Sequence, residues 1–361
     1  MTPMRTCRRV LQLALFVALA GSGRAFAADG ATPEDGAGAP HIEPGLDVLA
    51  GYTLRLADQG SPSRWYHEFA LPRARASLDA HFEETRGRLV LEAVRSAENG
   101  ALTGVGGDSL LLRLREARVG FAPWASLTFD VGLIPTALVP AVDRIDGHPE
   151  LGSSILESSG LYSFADLGVT GTFAIPGERA ELTLSLMNGE GYTSPERNRG
   201  KNVELAGALT PFPRTAAAPL SGRIAYVLGS SGTGRSRADR LAALVAWDTP
   251  RLGVGVLGAY AWGAKDDGAR RVVVGETFAR GEPVARVLFA ARASLELADP
   301  FAPAGATEDR VLRVSLSTGY RLAAPLEVFL VASRTSPSPI AEPREPAIAR
   351  WEFSTFARFQ H

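Results

Sequence analysis

The 361-residue chain has one cysteine, two lysines and five histidines, and past its first thirty residues it has no apolar run of eighteen. Each shortage excludes something. A single cysteine rules out a disulfide scaffold and any cysteine-based zinc site. The missing long apolar run rules out a polytopic helical membrane protein, in keeping with a mean hydropathy of +0.03. Neither sign of charge dominates, with 38 Lys+Arg against 39 Asp+Glu, so no nucleic-acid partner is expected. The histidines, His41, His67, His81, His148 and His361, show no H-x-x-x-H or H-E-x-x-H spacing. No metal site and no cofactor is therefore expected. At 45% hydrophobic the chain is too apolar for disorder. What remains is a large β or α/β protein, or one that enters membranes without apolar helices.

The N-terminus reads as an export signal over residues 1–27. Arg5, Arg8 and Arg9 precede the 12-residue apolar core Val10–Gly21, and Ala25-Phe26-Ala27 offers a cleavage site. Cys7 lies before the core, where a lipoprotein cysteine would follow it. Cleavage removes that cysteine and four arginines, leaving a thiol-free chain that suits an oxidising compartment. Residues 28–45 (ADGATPEDGAGAPHIEPG) read as a flexible leader.

From residue 46 to 361 the dominant pattern is two-residue alternation. Ser126–Ile134 sets Leu127, Phe129, Val131 and Leu133 against Ser126, Thr128 and Asp130; Arg73–Phe82 and Arg313–Arg321 do the same. Sixteen such segments are expected: 46–56, 66–82, 86–96, 109–121, 125–135, 164–174, 179–188, 202–210, 220–228, 238–248, 251–262, 270–279, 284–297, 309–321, 326–335 and 346–359. The segment 270–279 alternates least. Connections between them tend to switch between short (Glu83–Thr85, Thr249-Pro250) and long (97–108, 136–163, 189–201). A soluble sandwich has no reason to sort loop length by parity. A transmembrane barrel does, with short turns on one side of the membrane and long loops on the other. Only closed strands or helices satisfy the backbone in hydrocarbon, and aromatics such as Trp65, Tyr66, Trp124 and Trp262 collect near segment ends as interfacial girdles would. The expected fold is all-β, a transmembrane antiparallel β-barrel of sixteen strands.

Two features of this scaffold bear on function. The longest connection, 136–163, is the third external loop and carries Asp143, Arg144, Asp146, Glu150 and Glu157. Folded into the lumen, these would face wall arginines across a constriction. The polar faces of the strands supply eleven arginines and eleven acids, including Arg73, Arg75, Asp79, Arg118, Asp130, Asp166, Arg292 and Arg313 as pore-lining candidates. An even count predicts weak ion selectivity. Between Arg113 and Glu116 the alternation slips, which marks a β-bulge. Gly253–Gly258 matches G-x-G-x-x-G but sits inside an alternating strand, so nucleotide binding is not expected. No catalytic constellation is expected either.

Several segments in order resemble the phosphate-selective porin O and P family: Phe69–Arg75 (FALPRAR), Glu116–Phe121 (EARVGF), Asp130–Pro135 (DVGLIP), Ala165–Phe173 (ADLGVTGTF), Met187–Tyr192 (MNGEGY), Asn202–Gly207 (NVELAG) and Thr210–Pro213 (TPFP). The resemblance implies a sixteen-stranded outer-membrane porin, commonly a homotrimer. Phosphate-specific members line the channel with lysines; here Lys201 and Lys265 lie in expected loops, so phosphate selectivity does not carry over. The last segment, with Trp351, Phe353, Thr355, Ala357 and Phe359 on one face, resembles the strand that such barrels show their assembly machinery.

The sequence thus points to a porin in the outer membrane of a Gram-negative-type bacterium, in contact with outer-membrane lipid and passing small hydrophilic solutes or ions by diffusion. A closed structural or adhesion barrel with partner-binding outer loops is the second reading. A lipid-acting barrel enzyme, built on His81 and a serine, is the third; His81 is assigned to the lumen, away from lipid.

Overall fold

A computed structural model of the chain describes residues 40–57, 65–95, 110–175, 177, 179–189, 191–192, 200–212, 219–231, 236–264, 267–300, 309–337 and 350–361. The expected signal segment and residues 28–39 of the expected leader lie outside the described residues, as does Lys265.

Sixteen strands form one closed antiparallel barrel. They are β1 His41–Ala57, β2 Trp65–Phe82, β3 Thr85–Arg95, β4 Leu110–Trp124, β5 Leu127–Pro135, β6 Ala165–Ile175, β7 Ala180–Met187 and β8 Asn202–Leu209. The second half comprises β9 Leu220–Leu228, β10 Asp239–Asp248, β11 Leu252–Ala264, β12 Asp267–Val284, β13 Val287–Ala298, β14 Asp309–Ala323, β15 Leu326–Pro337 and β16 Arg350–Gln360. Each pairs with its chain neighbours, and β16 closes onto β1 with Gly51 opposite Phe356. Leu46 and His361 exchange both backbone hydrogen bonds at 2.9 Å. A closed sheet has no unpaired edge, the condition for standing in hydrocarbon.

The alternation resolves into an outside and an inside. On β7, Leu182, Leu184 and Leu186 are 52%, 57% and 49% exposed, while Ser185 between them is 1% exposed. A water-soluble sheet would hide the leucines. Here they point out around the barrel, joined by Phe129, Leu205, Ile224, Val256 and Leu330, which is the pattern of an outer-membrane-type barrel facing lipid.

Short connections (83–84, 125–126, 249–251, 285–286, 324–325) gather at one end and long ones (96–109, 136–164, 188–201, 299–308, 338–349) at the other. Two break the rule: 210–219 is long at the short end, and only two residues separate β11 from β12 at the long end. Two strands exceed their expected bounds by five residues at one end. β1 starts at His41, so the last five residues expected as leader are strand, paired from His41 opposite His81 onwards. β12 spans 18 residues where ten were expected.

The loop between β5 and β6 carries helical structure that alternation does not announce. It holds α1 (Val139–Asp146), a 3-10 turn (Pro149–Leu151) and the one-turn α2 (Ile155–Ser158). Pro140 suits the first turn of α1, where its missing N–H costs nothing. Gly147 ends the helix at φ +67°, in the left-handed conformation glycine favours.

Candidate pore constriction

The 136–163 loop lies inside the barrel, and its own composition explains why. Leu138, Val139, Val142 and Ile145 form one face of α1; Ile155, Leu156, Leu161 and Tyr162 follow, and all eight are at most 5% exposed. They pack on inward-facing Ala225 and Val227 of β9, Leu244 of β10, Leu257 and Ala259 of β11, and Val272, Val274 and Phe278 of β12. The inner wall over β9–β12 is therefore apolar, where a charged face was expected. The G-x-G-x-x-G segment belongs to this seat. A Cβ at Gly255 would run into the Phe278 ring, and one at Gly253 would meet Arg280 and lie 3.2 Å from the Ile145 carbonyl oxygen. These glycines let loop and wall approach, inside a strand that opens no helix.

Polar fastenings surround the apolar seat. Glu204 accepts the Ala137 N–H (3.1 Å) and Glu276 accepts the Ile155 N–H (2.9 Å). Arg280 donates to the Ile145 carbonyl (2.6 Å), and Arg358 donates to that of Gly147 (3.4 Å). Arg292 is the densest fastening. It pairs with Asp146 and donates to the carbonyls of Leu151 (3.2 Å), Gly152 (2.8 Å) and Ser153 (3.1 Å). Ser317 donates to Glu150 at 3.0 Å.

This corrects four expected assignments. Arg292, expected to line the pore, is sealed beneath the loop, where it supplies the donor to three loop carbonyls and the partner of Asp146. Asp146 and Glu150, expected to face the constriction, are buried in fastenings. Burial pushes the Asp146 carboxyl above the ordinary range, against the opposing pull of Arg292. Asp166 is also buried: it accepts the Leu167 N–H (2.7 Å) and the Gly189 N–H (2.5 Å), holding the start of the next long loop. An even count of wall charges is thus a poor guide, since the counted Asp166, Glu204 and Arg292 are shut away from the lumen.

The opposite wall, β2–β5, is a chain of ion pairs. Toward the short-turn end, Asp79 meets Arg88 (2.7 Å), Arg88 meets Glu116 (3.3 Å), Glu116 meets Arg118 (2.5 Å), and Asp130 holds Arg118 (3.1 Å) and Arg86 (2.8 Å). Nearer mid-barrel, Arg73 pairs with Asp47 (3.3 Å), and Glu92 takes both Arg75 (2.7 Å) and Arg113 (2.8 Å). The bulge expected between Arg113 and Glu116 is present: Val90 faces Glu116 and Leu91 faces Leu114, leaving Arg115 unpaired in the register. Both Arg115 and Glu116 turn inward as a result. From the loop, Asp143 and Glu157 approach Arg115 at 3.6 and 3.8 Å. Burial raises the pKa of Glu157, with Arg115 opposing. Arg144 is exposed on α1.

Of the pore-lining candidates, Arg73, Arg75, Asp79, Arg118 and Asp130 share this wall, whereas Arg313 on β14 lines a second space beside Glu68 and Pro72 of β2. Four participants escape the sequence reading. Arg115 is hidden by the slip in phase, Glu276 and Arg280 sit in or beside the least regular segment, and Tyr192 comes from a loop.

Two spaces lie between loop and wall. One, of about 620 Å³, is lined by Arg73, Arg75, Arg113 and Arg115 against Glu92 and Glu157. The other, of about 690 Å³, sets Arg55, Arg313 and Arg350 against Glu68, Glu150 and Glu352. They adjoin at Pro72, Pro149 and Gly152. Among the described residues, no group of His, Cys, Asp or Glu is arranged to hold a metal.

By sequence, no family model matches the chain and no curated protein matches it. By structure it is similar to several outer-membrane barrels. An anion-selective porin from Comamonas acidovorans superposes with a TM-score of 0.64 at 9% identity, covering 90% of this chain and 100% of that one. The outer membrane channel DcaP of Acinetobacter baumannii gives 0.59 at 12%, covering 89% and 97%. OmpT, an outer membrane protein of Vibrio cholerae in a trimer form, gives 0.57 at 13%, covering 90% and 100%. At such identities the likeness is one of fold.

Proposed function

We propose that the chain is an outer-membrane porin passing small hydrophilic solutes or ions by passive diffusion, with loop 136–163 as its constriction. The observation that carries this reading is the loop seated on one inner wall, with charge-lined space left against the other. A soluble protein has no use for an outward leucine face, and a closed barrel has no need of polar space beside its plug. Function then resides in width and wall charge, without a catalytic residue. Hydrophilic solutes tolerate the field between Glu157 and the β2–β4 arginines; apolar solutes must displace the water it orders.

The lining favours anions modestly: four arginines meet two glutamates in one space, and Arg55, Arg313 and Arg350 meet Glu68 and Glu352 in the other, Glu150 being tied up in its fastening. This replaces the weak selectivity expected from the even wall count. The resemblance to the phosphate-selective porin O and P family supports the sixteen-stranded porin but not phosphate specificity, because no lysine lines either space among the described residues. A homotrimer in outer-membrane lipid, assembled through recognition of the aromatic-faced β16 by the barrel-assembly machinery, completes the proposal. The trimer form of the Vibrio cholerae neighbour supports it.

Planar-bilayer recording tests the reading. Stepwise channel insertions are expected, with a reversal potential in a potassium chloride gradient on the anion side of zero. Folded, heat-modifiable protein that never conducts sinks the porin and favours the closed barrel.

A further inference from the structure

We infer that the space between β2–β4 and the inserted loop is a binding site for a small organic monoanion bearing a carboxylate. The inference rests on the porin reading and names the class of solute that the constriction holds in transit.

The site is built from three places in the chain. Arg73 and Arg75 project from β2 and Arg113 from β4, with 19%, 19% and 33% of their side chains exposed. Arg115 lies beneath them, 3% exposed, its guanidinium over the Phe164 ring at 3.6 Å. The third contribution is Tyr192. Its hydroxyl accepts from Arg115 (2.8 Å) and from Arg113 (3.0 Å), so its own proton remains to donate into the space. Arg113 also stacks on its ring at 4.7 Å. Gly189 and Gly191, just before this tyrosine, have φ of +105° and +75°, which glycine adopts freely. A Cβ at Gly191 would meet the Ser163 side chain at 2.6 Å. Gly191 thus allows the close approach that sets the Tyr192 hydroxyl on an arginine pair.

Charge and size define the ligand. Five arginines, counting Arg358, which shares Asp47 with Arg73, meet four carboxylates: Asp47, Glu92, Asp143 and Glu157. One positive charge is left over, which suits a monoanion. A space of about 620 Å³ is far larger than an inorganic ion needs and falls in the range of small-molecule sites. Pro72, Val94 and Pro149 give its lining an apolar part for a carbon body. A carboxylate on the half-buried Arg75 and Arg113 and the Tyr192 hydroxyl, with its carbon body against the prolines, fills it.

The probe is benzoate, with benzyl alcohol as its neutral counterpart and inorganic phosphate as the bare anion, added to full-length protein conducting chloride in planar bilayers. Benzoate is expected to saturate and at least halve the chloride current, while benzyl alcohol has no effect and phosphate needs far higher concentration. Arg113→Gln and Arg75→Gln are each expected to weaken the block roughly tenfold through lost charge-assisted hydrogen bonds. Tyr192→Phe keeps the ring and weakens it by a few fold, and Glu157→Gln strengthens it. Equal block by benzoate and phosphate, or block untouched by Arg113→Gln and Arg75→Gln in channels that still conduct, overturns the inference while leaving the porin. If the protein never conducts, titration calorimetry of the detergent-held barrel with benzoate reads the site directly: saturable heat lost in Arg113→Gln supports the site alone, and no heat removes it.

Discussion

The two inner walls of this barrel obey the same two-residue rule and put it to opposite uses. On β2–β5 the inward positions are largely Arg, Glu and Asp, joined in two clusters of ion pairs: Arg75, Arg113 and Arg115 on Glu92, and a run from Asp79 through Arg88, Glu116, Arg118 and Asp130 to Arg86. On β9–β12 they are mostly Ala, Gly, Val, Leu and Phe, covered by the loop, with Glu276 and Arg280 as polar fastenings. One wall is a lumen and the other is half of a hydrophobic core whose other half is α1 and α2. The difference shows that inside a pore is not one environment. Where a loop docks, the lumen face follows the packing logic of a soluble protein, including glycines for close approach and buried acids that hold backbone amides.

The sharpest way to break the contrast is to make the apolar wall unfit for the loop. Val142→Asp with Leu156→Asp buries two unpaired charges, each costing more than about 4 kcal/mol, in a contact where both residues are at most 1% exposed. The loop is expected to leave its seat, and single-channel conductance to rise and become noisy, while heat-modifiable migration persists because the barrel ladders are untouched. Unchanged conductance would mean that the loop does not narrow the pore.

Next in size comes Arg292→Met. It strands Asp146 without its partner and removes the donor to three carbonyls, a loss of about 3–5 kcal/mol for a broken buried pair. Hydrogen exchange at 147–153 is expected to quicken. The same change at Arg118, which shares partners with Arg86 and Arg88 on the charged wall, is expected to cost about 1 kcal/mol or less.

Glu204 and Glu276 test how the apolar wall uses acids. Each spends one oxygen on a loop amide, and the other has no protein partner. Alanine at either is expected to loosen the loop by about 1–3 kcal/mol. Glutamine keeps the acceptor and removes the buried charge, so exchange at Ala137 or Ile155 should match the parent or slow.

The smallest effect belongs to pH. Burial raises the pKa of Glu157, so as pH falls it takes up its proton before ordinary carboxylates do. Arg75 and Arg115 then lose a counter-charge, and anion preference measured by reversal potential is expected to grow, starting above the usual glutamate range. Glu157→Gln is expected to begin at the higher preference and to flatten this part of the titration.

The fold was legible because the membrane enforces it. A lipid face admits few polar residues, so all sixteen strands announced themselves as alternation, most within three residues of their observed bounds. The two failures have different causes. β12 alternated least because its inward Val272, Val274 and Phe278 are as apolar as an outward face, which erases the contrast on which period-two reading depends. His41–Gly45 resembled a leader because Pro44 and Gly45 dominate its composition, whereas its partners Ser77–His81 are 32–40 residues away.

The site was legible in part. The charged wall, the bulge and the unusual loop could be read from spacing and phase. Which charges face water could not, because Arg292 and Arg73 look alike in sequence and differ only in what the loop covers. One overlooked signal was present: Leu138, Val139, Val142 and Ile145 follow helical spacing in a segment that a solvated loop would have kept polar.

The apolar seat also has a cost in time. Until α1 and α2 dock, β10–β12 are apolar on both faces, with Val245, Val254 and Val256 facing out and Leu244, Leu257 and Val274 facing in. Such hairpins are sticky whichever side meets water, and partly assembled chains carrying them are prone to aggregate. Docking of the loop covers that surface, so a chain with a faulty loop is expected to assemble in lower yield as well as to conduct differently.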